Sequence, residues 1–216
     1  MHLALIFAAL ASLLTLTTSA PTPVPSDLED RQSLNPTRND LSGPCKAITV
    51  IFARGTTELG NVGLFAGPPF FNALGAIVGY DNVAVQGVSY PADIPGYLLG
   101  GSDAGSKTLA GLVVQAASKC PATQIVVGGY SQGAQLVHKG MRQVSADVAS
   151  RVAAVALFGD PDNGQPVQGV SSDDVITFCH EDDLICKGAP IVLAAHLSYA
   201  LDGPSAARFV AQRVQV

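Results

Sequence analysis

Ile125-Val126-Val127-Gly128-Gly129-Tyr130-Ser131-Gln132-Gly133 is the stretch on which the fold turns. An unbroken apolar run leads into a G-x-S-x-G pattern, and a segment with helical spacing, Gln135–Val144, follows it. Glycines two before and two after the serine suit a sharp strand-to-helix turn, where side chains would collide. Such a turn lifts the Ser131 hydroxyl above a sheet, and the helix behind it aims its first amides at a developing oxyanion. In a glycine-rich chain the same pattern also fits a plain tight turn. Its place between a strand pattern and a helix pattern favours the nucleophile elbow.

Outward from the elbow, the chain alternates. Short β-branched runs at Ile48–Ala53, Val83–Val88, Ile125–Gly129, Val152–Phe158 and Val175–Cys179 read as strands covered on both faces. Helical spacing fills the gaps at Phe70–Val78, Thr108–Ser118, Gln135–Val144 and Ala206–Val214. Regular alternation of this kind predicts an α/β sandwich of about five parallel strands with helices on both faces. There is no internal repeat and no long linker, so residues 32–216 are expected to form a single domain.

Composition agrees. Of 216 residues, 48% are hydrophobic and only 13% are charged, where a soluble domain is usually about a quarter charged. That excludes a disordered chain and a coiled coil. Twelve Lys and Arg against 17 Asp and Glu, with no basic run, exclude a nucleic-acid binder. Residues 1–20 are apolar from Leu3 to Leu16 and leave through the small residues Thr18-Ser19-Ala20. They read as a secretory signal peptide rather than an anchor, because prolines and no Lys/Arg cluster follow. Residues 21–31, proline-rich and acidic, read as a pro-segment. No other segment is long enough to span a membrane, so an extracellular protein without an anchor, and a monomer, is expected. Losing residues 1–31 would change the net charge from −5 to about −3. Asn35 is followed by proline, so the chain offers no N-glycosylation sequon.

Cysteine usage fits export. Cys179 and Cys186 lie seven apart around an acidic turn, so a local crosslink is the economical pairing and leaves Cys45 with Cys120. A zinc site is disfavoured by the lack of Cys-x-x-Cys and of a histidine cluster; neither a metal nor a cofactor is called for.

A nucleophilic serine needs a base. His138 lies two helical turns beyond Ser131 and points away from the elbow, as a surface or packing residue. The order serine, acid, histidine leaves two sets: Asp160 with His180, or Asp183 with His196. Order alone does not separate them. The Cys179–Cys186 crosslink favours the second, since a short covalent loop fixes the direction of Asp183, and orientation is what a triad acid supplies. His180 then reads as a surface residue paired with Glu181 and Asp182. The oxyanion donors are expected to be the Gln132 amide and, from the loop after the first strand, the Thr56 amide, with its hydroxyl in support. Arg54 reads better as a partner of Glu58 or another carboxylate than as an anion clamp.

Four blocks together, Ile51–Glu58, Gly128–Gly133, Cys179…Asp183-Leu184-Ile185-Cys186 and His196-Leu197-Ser198-Tyr199, resemble fungal cutinases over the whole mature chain. The resemblance implies a small, lidless α/β-hydrolase, secreted to hydrolyse cutin, a water-insoluble polyester, and other aliphatic esters. It implies nucleophile Ser131, acid Asp183 and base His196, with disulfides Cys45–Cys120 and Cys179–Cys186. Tyr130, Pro190, Ile191 and Val192 are the candidate substrate contacts, the last three forming an apolar loop suited to an acyl chain or, equally, to core packing. Thr56 stands where many cutinases carry serine. An asparagine that helps hold that hydroxyl in typical cutinases has no match around Ile94–Leu98. Ser89–Asp93 and Phe158–Pro161 look more like the acetylxylan-esterase branch of the superfamily, the alternative function. A non-catalytic, secreted surface-binding protein on the same scaffold is a remoter alternative from another class.

Overall fold

The computed structural model describes residues 35–216; the signal and pro-segment expectations fall on residues outside that range. Five strands form one parallel sheet: β1 (Ile48–Ala53), β2 (Val83–Gly87), β3 (Gln124–Tyr130), β4 (Val152–Phe158) and β5 (Val175–Phe178), in the order β2-β1-β3-β4-β5. The sheet grows one way from β1 to β2 and the other way from β3 to β5. The loops leaving β1 and β3 therefore part at adjacent strand ends, where Ala53 sits beside Gly129 in register. In open α/β sheets that divergence opens the crevice in which ligands bind.

Strand side chains alternate between two cores. Ile51, Ala53, Ile125, Val127, Val155 and Leu157 pack on one face against α3 (Asp103–Lys119) and α4 (Gln132–Met141) through Leu109, Val113, Leu136 and Val137. Val50, Phe52, Val126, Ala156 and Phe158 pack on the other against α1 (Gly67–Val78) and α6 (Gly203–Ala211) through Phe70, Leu74, Ala206 and Val210. With both faces covered, β1 is buried along its whole length, which is why its sequence is apolar at every position but Thr49 rather than alternating.

The strands lie within a residue of their expected limits, but the helices begin earlier than periodicity suggests. α1 opens on Gly67-Pro68-Pro69, whose prolines are preset for a first turn. α3 opens at Asp103 because the Ser102 side chain accepts from the Gly105 amide. Two short helices went unread: α2 (Ile94–Leu98), capped by Asp93, and α5 (Ala146–Ala149). The cysteines pair as Cys45–Cys120 and Cys179–Cys186. Among the described residues no helix is long and apolar enough to cross a membrane.

Candidate active site

Ser131 stands between β3 and α4 with φ 56° and ψ −120°, a conformation that L side chains rarely adopt and that costs about 1–3 kcal/mol. The flanking glycines make it reachable. A Cβ on Gly129 would lie 2.4 Å from the Gly133 carbonyl carbon, and one on Gly133 would lie 2.0 Å from the Ala53 carbonyl oxygen. The Ser131 amide donates to the Phe158 carbonyl at 2.9 Å, tying the elbow to the end of β4.

A continuous hydrogen-bonded chain runs from this serine into the protein. His196 Nε2 is 2.9 Å from Ser131 Oγ, and His196 Nδ1 is 2.8 Å from Asp183 Oδ2. A carboxylate only accepts, so Nδ1 carries the proton and the neutral ring presents Nε2 to the serine hydroxyl. Asp183 is wholly buried, and its second oxygen accepts from the Ile185 amide at 2.9 Å. Its loop is closed by Cys179–Cys186. Asp160 and His180, the other ordered set, do not meet. Asp160 pairs with His138 at 2.9 Å, both of them buried, and His180 pairs with Asp202 at 2.8 Å. His138 is thus a packing residue and not a surface one. His180 departs from its expected partners because Glu181 and Asp182 face solvent, while Asp202 comes round on the turn after His196.

Tyr130 stacks on the His196 ring at 5.1 Å and donates its hydroxyl to the His196 carbonyl at 2.7 Å. Burial pushes the Tyr130 phenol well above its ordinary range, so it remains a donor. Tyr199, completely buried, donates to Asp183 Oδ2 at 2.6 Å and accepts from the His180 amide at 3.1 Å.

Opposite the elbow, the Thr56 and Gln132 side chains meet. Gln132 Nε2 donates to Thr56 Oγ1 at 2.9 Å and to the Asp93 carbonyl at 2.8 Å. The carboxamide of Gln132 thus holds the hydroxyl that lacked an asparagine in the sequence. Because Nε2 can only donate, the Thr56 hydroxyl keeps its own proton for another acceptor. The loop after β1 is set by Glu58, whose carboxylate accepts from the Gly55, Leu64 and Phe65 amides. Arg54 does not pair with that carboxylate, contrary to expectation. Its guanidinium donates to the carbonyls of Glu58 and Tyr90 instead, lying 4.9 Å from the Tyr90 ring centre, because the Glu58 oxygens are occupied by backbone amides. Thr57, at φ 63°, donates its amide to the carbonyl of Ala92, at φ 50°, so backbone strain gathers where the loop after β1 meets the segment before α2.

A cleft of about 370 Å³ opens over Ser131 and His196 and is lined by Thr56, Phe65, Ile94, Tyr97, Leu98, Tyr130, Ile185, Pro190, Val192 and Leu197. Of the four expected substrate contacts, Tyr130, Pro190 and Val192 line it; Ile191, about half exposed, is not among the lining residues. The sequence reading missed Phe65, Ile94, Tyr97 and Leu98, which come from the segment after the β1 loop and from α2. It also missed the Gln132 carboxamide and Tyr199, although Tyr199 stands within the His196–Tyr199 string.

A five-stranded parallel sheet with a serine elbow at its switch point, a histidine and a buried aspartate in line defines an α/β-hydrolase. Three findings from known proteins narrow this. The profile of the Cutinase family matches residues 44–214. A cutinase of Botryotinia fuckeliana is 49% identical over 175 residues, 81% of this chain and 87% of that protein. A solved Trichoderma reesei cutinase in complex with a phosphonate inhibitor superposes with a TM-score of 0.80 at 39% identity, over 88% of this chain and 84% of the other. The chain belongs to the cutinase family and is a carboxylic ester hydrolase. An acetylxylan esterase structure is also similar, with a TM-score of 0.65 at 25% identity, over 80% of this chain and all of the other.

Proposed function

We propose that the chain is a secreted serine esterase that opens aliphatic esters, foremost the water-insoluble polyester cutin, through an acyl-enzyme at Ser131. The observation that carries it is the Ser131–His196–Asp183 hydrogen-bonded chain at the floor of an apolar cleft. His196 takes the Ser131 proton as Oγ attacks the ester carbonyl. The oxyanion rests on the amides of Gln132 and Thr56 with the Thr56 hydroxyl beside them, each donor contributing about 10²–10³ in rate. His196 gives its proton to the departing alcohol, and water then repeats the cycle on the acyl-enzyme.

The rim supports an insoluble partner. Phe65, Ile94, Leu98, Val192 and Leu197 are each more than a third exposed around one opening. A cluster of exposed apolar side chains marks a surface that meets an apolar phase. Secretion is supported by the signal-like residues 1–20 and by the two disulfides. One chain supplies serine, base, acid and oxyanion donors, which supports a monomer as the working unit.

The test is labelling with a fluorophosphonate ester, followed by rates on p-nitrophenyl esters of increasing acyl length beside acetylxylan. Labelling at Ser131 with activity extending to long acyl chains is the expected result. A strict acetyl preference assigns the chain to acetylxylan or other short acyl esters, which the acetylxylan esterase neighbour supports as the second reading. A folded protein that does not label is a non-catalytic scaffold.

A further inference from the structure

We propose that Tyr199 is a positioning residue that acts on the base through the acid: its hydroxyl shares Asp183 Oδ2 with His196 and thereby limits how strongly that carboxylate draws a proton onto the imidazole. The proposal rests on the triad chemistry proposed above and adds to it a residue that touches neither substrate nor serine.

The geometry is specific. Asp183 is wholly buried, so its charge depends on the donors that reach it. Oδ1 receives the Ile185 amide at 2.9 Å. Oδ2 receives two donors, His196 Nδ1 at 2.8 Å and the Tyr199 hydroxyl at 2.6 Å. The Cys186 sulfur, 3.6 Å from the same oxygen, is in a disulfide and has no proton to give. Among the described residues, the phenol is thus the one side chain besides the base that donates to this carboxylate. Its direction is fixed from behind, because the same hydroxyl oxygen accepts from the His180 amide at 3.1 Å and the ring stacks on His180 at 4.3 Å. Burial first, and then the bond to Asp183, keep the phenol protonated throughout the working range.

A donor on the anion stabilises its charge and weakens its pull on the neighbouring N–H. Without that donor, Oδ2 belongs to His196 alone. The imidazolium becomes easier to form, so the base is lost to protonation at a higher pH. The carboxylate also loses one of the three bonds that orient it. Other ionisable groups around this pair are Tyr130 stacked on His196, Tyr97 and Glu58 across the cleft, and the His180–Asp202 pair behind Tyr199. All of these remain when Tyr199 alone is changed, so a shift on Tyr199→Phe reads the phenol.

For Tyr199→Phe the expected result is a kcat lower by about tenfold, the scale of one lost hydrogen bond to a charged group. KM should be little changed, and the acid limb of kcat/KM should move upward by roughly half a pH unit. Placing 3-fluorotyrosine at position 199 keeps the ring and strengthens the donor; it should restore kcat and move the acid limb below that of the wild type. A folded Tyr199→Phe with the parent acid limb, or one whose only change is a lower Tm, overturns the proposal. The pull on the base is also read without turnover, by NMR titration of the carbon-13-labelled His196 ring in Ser131→Ala, with and without Tyr199→Phe. An unchanged His196 titration there overturns the proposal even where the esterase itself stands. A chain that neither labels nor hydrolyses esters defeats the esterase function and leaves the titration to decide this one.

Discussion

His196 and His138 form the same kind of pair in two regions of the molecule, and only His196 has a serine hydroxyl at its second nitrogen. In each, one ring nitrogen sits 2.8–2.9 Å from a carboxylate oxygen, and each partnership is buried. His138 lies on α4 with its ring on Asp160, which follows β4, and there is no nucleophile on its far side. His196 lies on a turn at the strands' carboxyl ends, with a strained serine on one nitrogen and a disulfide-closed acid on the other. The difference teaches that a His–Asp pair is a common way to bury a histidine. What separates a catalytic pair is the third group at the open nitrogen and a cleft beside it.

The comparison is broken most directly by exchanging the rings for inert side chains. His196→Ala should lower kcat by about 10⁶-fold, as should Ser131→Ala. His138→Leu should leave activity per folded molecule within about threefold. Comparable rate losses at both histidines would show that the pairs are not functionally distinct.

His138→Leu should instead cost stability, about 3 kcal/mol, because it leaves Asp160 a buried charge without its partner. Burial alone disfavours the charged ring, but the hydrogen bond and charge of Asp160, with Asp162, outweigh it and raise the His138 pKa above the usual range. The sign follows. The extra stability is complete below the unfolded value of about 6.5 and fades as pH rises through the folded value. The gap in Tm between parent and variant should be widest in acid and narrow as pH rises through the folded value; a gap that widens with pH would refute the ion pair.

A smaller effect sharpens the difference between the two acids. Asp160 is held by its place after a strand, whereas Asp183 depends on a loop closed across seven residues. Cys186→Ser should cost about 2–3 kcal/mol by freeing that loop, and should reduce kcat in the molecules that still fold. Thermal melts beside active-site titration separate the two losses. The smallest effect belongs to His180→Ala, which should keep most of the activity, within about threefold. Activity as poor as that of His196→Ala would reopen the choice of base.

How much of this was legible in the sequence follows from range. The strands were, because Ile48–Ala53, apolar but for Thr49, and Val152–Phe158 are short runs whose burial on both faces shows as near-continuous hydrophobicity. The elbow was, because its constraint lies within five residues. The helix starts were not, since Gly67-Pro68-Pro69 and Ser102–Lys107 carry caps and polar turns rather than apolar spacing. The Gln132 carboxamide on Thr56 spans 76 residues, and Tyr199 on Asp183 spans 16. Neither bond has a local sequence signature; each exists only once the strands have set their order. His138 with Asp160 was missed for the same reason, and His180 was assigned to its chain neighbours because adjacency is all that a sequence offers.

The Gln132 side chain ties three segments with one group: the elbow that carries it, the loop after β1 through Thr56, and the start of α2 through the Asp93 carbonyl. α2 bears Ile94 and Leu98, part of the rim that would press on a solid substrate. On the proposed function, contact surface and oxyanion donors are therefore joined through one side chain. Under that proposal, a solid polymer pressing on the rim would load the same two hydrogen bonds that hold the Thr56 hydroxyl and the start of α2 in place.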